Sequence, residues 1–145
     1  MRRIACLLLL LCAAPAACGK SDGQRYKEDL PPINRDLSAL AAAVGRGLHD
    51  AGASGDQALA GEFAGYARRL GALRGRLDDL EPPAALETDH NRTLAAMAAE
   101  RTALSGLAAA ARRGDSAGAR AAATGVVREG ARLDAARSEL ARAAR

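Results

Sequence analysis

The stretch that decides the fold is residues 59–80, which read LAGEFAGYARRLGALRGRLDDL. Its large apolar side chains recur at alternating steps of four and three residues, namely Leu59, Phe63, Tyr66, Leu70, Leu73, Leu77 and Leu80. This spacing places them on one face of a helix, as in a coiled coil or a helical bundle. Asp56 lies just before this pattern and is the predicted N-terminal cap of the helix. A helix with one apolar face requires partners that cover it, so the rest of the chain has to supply them.

The first helix is predicted to begin at a pair of prolines. Pro31 and Pro32 lack a backbone N–H, but the N–H groups in the first turn of a helix have no partner there anyway. After them, apolar side chains again recur at steps of four and three, namely Ile33, Leu37, Leu40, Val44 and Leu48. Residues 18–30 before the prolines are largely polar and predict a flexible tether.

Turn signals divide the remaining chain into two more helices. Pro82-Pro83 ends the second helix, because the residue before a proline is pushed out of helical geometry. The third helix is predicted over residues 84–113. Gly114 suits its C-terminal cap, and either Asp115 or Ser116 suits the N-terminal cap of the fourth helix.

Composition supports an all-α class. Of the 145 residues, 49% are hydrophobic and most of these are Ala and Leu, which favour helices, while aromatic residues are scarce. Four helices with short connections predict an up-down-up-down four-helix bundle over residues 31–145. The inner face of the fourth helix is rich in Ala and Gly, so we expect that helix to be held least firmly. A three-helix core with a mobile fourth helix, and pairing between two chains, are the alternatives.

The N-terminus has the order of a secretory signal peptide. A basic start at Arg2 and Arg3 precedes nine mostly apolar residues, 4–12, and a small-residue segment, 13–17. The apolar run is too short to span a bilayer, which needs about twenty residues. Residues 1–17 are therefore predicted to be a signal peptide that directs export.

The residues around Cys18 suggest how the chain is processed. Ala16-Ala17-Cys18-Gly19 resembles the lipobox of bacterial lipoproteins, and the resemblance covers about the first twenty residues. It implies that Cys18 receives a thioether-linked diacylglycerol and becomes the new N-terminus, anchored through acyl chains such as palmitate. Pro15 departs from the pattern, which usually has Leu there, and Ala14-Pro15-Ala16 offers a competing site for ordinary cleavage.

Cysteine use favours lipidation over ordinary cleavage. Once the leader is removed, Cys18 is the only cysteine left, so no internal disulfide can form. Lipidation accounts for this lone thiol, and two or three acyl chains suffice for stable anchoring.

A second resemblance extends beyond the leader. Residues 80–90, LEPPAALETDH, precede a long Ala/Leu-rich helix that ends at Arg112-Arg113-Gly114-Asp115. This layout is similar to that of uncharacterised small helical lipoproteins of high-GC bacteria. The resemblance implies a comparable bundle and supplies no activity, substrate or site.

His90 and Arg101 are the candidate ligand-binding residues. Both project near the inner face of the third helix, as Arg137 does on the fourth, and they suggest a pocket between the helices. Arg101 and Arg137 suggest that such a pocket binds an anion or a carboxylate ligand. The alternative for His90 is a residue at the helix start near Pro82-Pro83 that forms a hydrogen bond to backbone or to a carboxylate across the bundle. The alternative for the arginines is that their stems cover apolar surface while the guanidinium groups stay in water.

No metal or cofactor is expected. Glu87 and His90 have the Glu-x-x-His spacing that di-iron bundles use twice, together with two further glutamates, but this chain has it once. His49 is the only other histidine, whereas zinc needs about four ligands.

Charge and motif content narrow the function. The formal charge of +4 falls to about +2 without Arg2 and Arg3, and basic and acidic residues are interleaved, so no nucleic-acid partner is expected. No nucleophile–base set suggests an enzyme. We expect a non-enzymatic, lipid-anchored protein-interaction or spacer module of the bacterial cell envelope, on the extracytoplasmic side, with an unidentified envelope protein or a second copy as partner. The alternative is a small-ligand sensor or carrier with a pocket between the helices.

Overall fold

The described residues form four α-helices and no strand. The computed structural model describes residues 22–52 and 55–145. The helices are α1 (Asp22–Asp50), α2 (Asp56–Asp78), α3 (Glu87–Arg112) and α4 (Ser116–Ala143), with a short 3₁₀ turn at Ala84–Leu86. The predicted all-α four-helix bundle is confirmed. The signal peptide and Cys18 lie outside the described residues.

The α2 pattern forms the middle of the core. Leu59, Phe63, Leu70, Leu73 and Leu77 are buried, and Tyr66 and Leu80 are partly buried against the same cluster. Phe63 and Tyr66 meet edge to face with ring centroids 5.4 Å apart. The heptad pattern therefore predicted the buried face of this helix correctly.

The start of α1 differs from the prediction. The helix begins at Asp22, and Pro31 and Pro32 lie inside it. The predicted tether over residues 18–30 and the predicted domain start at residue 31 are therefore wrong from residue 22 onward. An internal proline costs a helix about 3 kcal/mol. Tyr26 and Leu30 offset this cost, because both are buried on the face that Ile33 continues, and full burial of a large apolar side chain contributes roughly 1.5–3 kcal/mol.

The structure confirms the predicted caps around Gly114 and Asp115 but not the one at Asp56. Gly114 has φ +65°, the left-handed geometry that a C-terminal glycine supplies. The Gly118 N–H donates to Asp115 Oδ1 at 2.8 Å, so Asp115 caps α4. Asp56 does not cap α2, because it is the first helical residue and Gly55 occupies the cap position without a side-chain bond.

Side-chain size controls how closely the helices approach. Contacts of α3 with α2 and with α4 are extensive, whereas α1 contacts α4 least among these neighbouring pairs. The small residues of α4 let it lie close against α3, so α4 is not the loosest helix. Ion pairing of Arg76 with Asp36 and the hydrogen bond from Tyr66 to the Ala43 carbonyl join α1 to α2 in the order expected of antiparallel neighbours. None of the described helices has an apolar stretch long enough to cross a membrane.

Candidate ligand-binding cleft between α1 and α4

A cleft opens where α1 and α4 make little contact. Leu40 and Val44 line it from α1, and Val126 and Leu133 line it from α4. Its floor is formed by Leu70 of α2 with Glu100 and Leu104 of α3. The cavity volume is about 230 Å³. A cavity of about 150 Å³ already holds benzene and typical ligand pockets begin near 300 Å³, so this cleft suits a small molecule. We call it the α1–α4 cleft.

Glu100 is the buried polar group of this cleft. It is 5% exposed. Among the residues that the structure describes, none forms a hydrogen bond with its carboxylate atom Oε2. Burial raises the pKa of the Glu100 carboxyl to about 7, and the negative charge of Glu129 adds to this rise. A buried acid without a partner is costly, because water no longer solvates it.

Glu129 supplies the negative field at the floor of the cleft. Hydrogen bonds from Arg128 and Arg132 hold the pKa of the Glu129 carboxyl below its ordinary value, with the Arg128 bond the larger cause. Arg128 Nε lies 2.9 Å and Arg132 Nη1 lies 3.0 Å from the Glu129 carboxylate. Glu129 therefore stays ionised, and both arginines are engaged with it.

Gly130 leaves room beside the Glu100 carboxylate. A Cβ at this position would lie 3.7 Å from Glu100 Oε1, which is ordinary van der Waals contact. Any side chain larger than a methyl group would occupy the space next to the acid. The glycine therefore keeps the floor of the cleft open.

Polar residues close one part of the cleft and an apolar residue marks its rim. Arg137 Nη1 donates to Ser38 Oγ at 2.8 Å and so joins α4 to α1. The same guanidinium pairs with Asp134, which neutralises the two charges locally. Val127 also lines the cleft, and it is 62% exposed. Among the described residues, no other large apolar side chain is exposed to this extent.

His90 lies away from the cleft in a buried contact between α1 and α3. Its Nδ1 is 3.0 Å from the hydroxyl of Tyr26, and the two ring centroids are 5.8 Å apart. Burial lowers the pKa of His90, and the charge of Asp78 opposes this shift. His90 therefore forms a hydrogen bond across the bundle, as the structural alternative expected, but its partner is a tyrosine hydroxyl and not backbone or a carboxylate.

Arg101 is exposed on α3 and does not meet His90. Its stem passes over Gly71 of α2, where a Cβ would lie 3.5 Å from the arginine Cδ. It lines a shallow groove together with Arg68 and Arg112. The two predicted ligand-binding residues are therefore not brought together, and neither lines the α1–α4 cleft. Arg137, also predicted near an inner face, does line it.

Sequence reasoning missed Glu100, although a signal for it was present. Glu100 lies three residues after Met97 and four before Leu104, both of which are buried core residues. This spacing places a carboxylate among the inward-facing positions of α3. Over the residues that the structure describes, no three His, Cys, Asp or Glu side chains gather where they could hold a metal ion.

Comparisons with protein-family models, with curated proteins and with solved structures give no match to this chain.

Proposed function

We propose that this chain is an exported, lipid-anchored helical domain that binds a small, largely apolar ligand in the α1–α4 cleft without transforming it. The proposal is carried by Glu100, a buried acid with an unpartnered oxygen on the floor of an apolar cleft. Such a group costs folding free energy, and strained or perturbed groups of this kind concentrate at functional sites. A ligand that completes its hydrogen bonding would recover that cost.

The anchor follows from the resemblance of residues 16–19 to a lipobox. Three residues, 19–21, separate Cys18 from the start of α1. Even fully extended, the chain from Cys18 to Asp22 spans only about 14 Å. The start of α1 would therefore lie near the membrane surface. The α1 residues that line the cleft, 37–48, lie roughly 22–39 Å further along the helix. An upright bundle would present the cleft to the aqueous compartment.

Binding at the cleft can be tested with 2-phenylethanol as a neutral probe. The full-length chain carrying Cys18→Ala would be titrated while amide NMR shifts are followed. We expect shifts around the cleft that Gly45→Leu abolishes. Gly45 lines the cleft, and a Cβ there meets nothing within 4 Å, so leucine enters open space.

The matched control for this titration is Gly61→Leu on α2. Gly61 is also a helical glycine with open space at its Cβ, and it lies outside the cleft. The control should bind like the parent chain. Binding that survives Gly45→Leu, or shifts that map to another surface, would refute the proposed site.

The anchor has its own test. In a bacterial host, Cys18→Ala should move the exported protein from the membrane fraction to the soluble fraction, because the thiol that carries the diacylglycerol is gone. Continued membrane association of the variant would refute lipidation at Cys18.

A second candidate function is the protein-interaction or spacer module, and Val127 favours it. A partner could cover this exposed side chain at the rim of the cleft. A photo-cross-linking residue at position 127 should then capture a defined envelope protein, and Val127→Asp should abolish co-purification of that protein. A cross-linker at 127 that captures nothing in the native envelope would remove this candidate.

A further inference from the structure

Building on the proposed function, we propose that the ligand of the α1–α4 cleft is a small organic amine in its ammonium form. Its apolar body would lie between α1 and α4, and its N–H groups would donate to the carboxylate of Glu100. Three features of the cleft favour such a ligand: the unpartnered acceptor, the sign of the surrounding charge, and the apolar walls.

The missing partner of Glu100 is a hydrogen-bond donor. An ionised carboxylate only accepts hydrogen bonds. Oε2 receives none from the described part of the chain, although Glu100 is only 5% exposed. Both Oε1 and Oε2 face Gly130, where the absent side chain leaves space. A charged N–H donor makes the stronger class of hydrogen bond with a carboxylate.

The charges around Glu100 select a cation. On α4, Glu129 adds negative charge, while Arg128 and Arg132 are engaged with Glu129 and Arg137 with Asp134. On α3, the neighbouring Arg101 lies against Gly71, away from the cleft. The lining residues from α1 and α2 carry no charge. An anionic ligand would meet the negative charge of Glu100 at the floor.

The walls of the cleft select an apolar body of limited size. Apolar side chains line both walls, namely Leu40, Val44, Val126 and Leu133, so contact with them favours a ligand with an apolar body. The volume of about 230 Å³ accommodates one ring with a short chain. A phenylalkyl amine is therefore a suitable probe of this chemistry.

The test compares three probes that share one aromatic body. These are 2-phenylethylamine, 2-phenylethanol and 3-phenylpropionate, titrated calorimetrically into the full-length chain carrying Cys18→Ala. At pH 8 we expect the amine to bind about tenfold more tightly than the alcohol, with the propionate weakest. Glu100→Gln should reduce the affinity for the amine to about that for the alcohol, and it should weaken alcohol binding far less, because the amide oxygen still accepts a hydrogen bond.

A change of pH gives an independent readout. Between pH 8 and pH 5.5 the amine keeps its charge while Glu100 takes up a proton, so the affinity for the amine should fall by about tenfold or more. The affinity for the alcohol should fall far less, because the alcohol carries no charge. If Glu100→Gln does not fold, Glu129→Gln serves instead, and it should weaken amine binding several-fold by removing the neighbouring negative charge.

The possible results distinguish failure of the amine proposal from failure of the proposed binding site. If alcohol and amine bind equally and Gly45→Leu blocks both, the amine proposal is overturned and the site stands. Tighter binding of the alcohol at pH 5.5 would show Glu100 acting as a neutral donor, which also overturns it. If Gly45→Leu affects neither probe, both the amine proposal and the proposed function fall.

Discussion

His90 and Glu100, two buried titratable side chains on α3, make stability depend on pH in opposite directions. Burial favours the neutral form of each, so the pKa of His90 is lowered and the pKa of Glu100 is raised to about 7. Neutral His90 favours the folded state above its ordinary pKa of 6.5, and this contribution is lost as the pH falls. Protonated Glu100 favours the folded state below its ordinary pKa of 4.5, and this contribution is lost as the pH rises toward 7.

Glu100→Gln isolates the second effect, because His90 is present in both proteins. We expect the free energy of unfolding of the parent chain to fall by on the order of 2 kcal/mol more than that of the variant between pH 5 and pH 8. Urea denaturation at both pH values measures this difference. The control is Glu81→Gln at an exposed position, which should follow the parent chain. Parallel pH profiles for the parent and Glu100→Gln would show that Glu100 is not desolvated in the folded state.

The apolar pattern predicted α2 more completely than α1. The pattern of α2 runs from Leu59 to Leu80 without a break, and its buried face was predicted correctly. The pattern of α1 extends through Tyr26, Leu30 and Ile33, again at steps of four and three, but the prolines at 31 and 32 obscured it. Propensity indicated a helix start there, whereas burial of side chains on both sides of the prolines carries the helix through them.

Leu30→Ala tests whether the segment before the prolines is part of the folded helix. Leu30 is 3% exposed, so truncation should lower the free energy of unfolding by about 2–4 kcal/mol through lost burial and a cavity. Lys27→Ala, an exposed position in the same segment, should change it by less than about 0.5 kcal/mol. Equal and small effects of the two substitutions in urea denaturation would mean that the segment is a tether after all.

Across the whole molecule, α3 makes the most extensive contacts with other helices, and α1 makes fewer. Contacts of α3 with α2 and α4 run along the bundle, while α1 packs on α2 and makes few contacts with α4. The internal prolines also remove two backbone hydrogen bonds from α1. Local opening should therefore begin at α1, which is also one wall of the cleft.

Native-state hydrogen exchange can locate this difference. We expect amides in the middle of α3 to exchange only through global unfolding, and those of α1 to exchange through opening at a lower free energy. Mass spectrometry of peptides from the two helices, on the Cys18→Ala chain, gives the comparison. Exchange in α1 as slow as in α3 would contradict the packing argument.

The number of helices, the buried face of α2 and a cap at Asp115 or Ser116 follow from the sequence by itself, because periodicity and capping depend on residues within a few positions of one another. The tertiary structure alone decided that α1 begins at Asp22, that His90 meets Tyr26 and that Glu100 lies unpartnered in a cleft. Tyr26 and His90 are 64 residues apart in the chain. Contacts between distant residues, and the spaces that small residues leave, depend on how the helices pack against one another. The spacing of residues along one helix does not determine that packing.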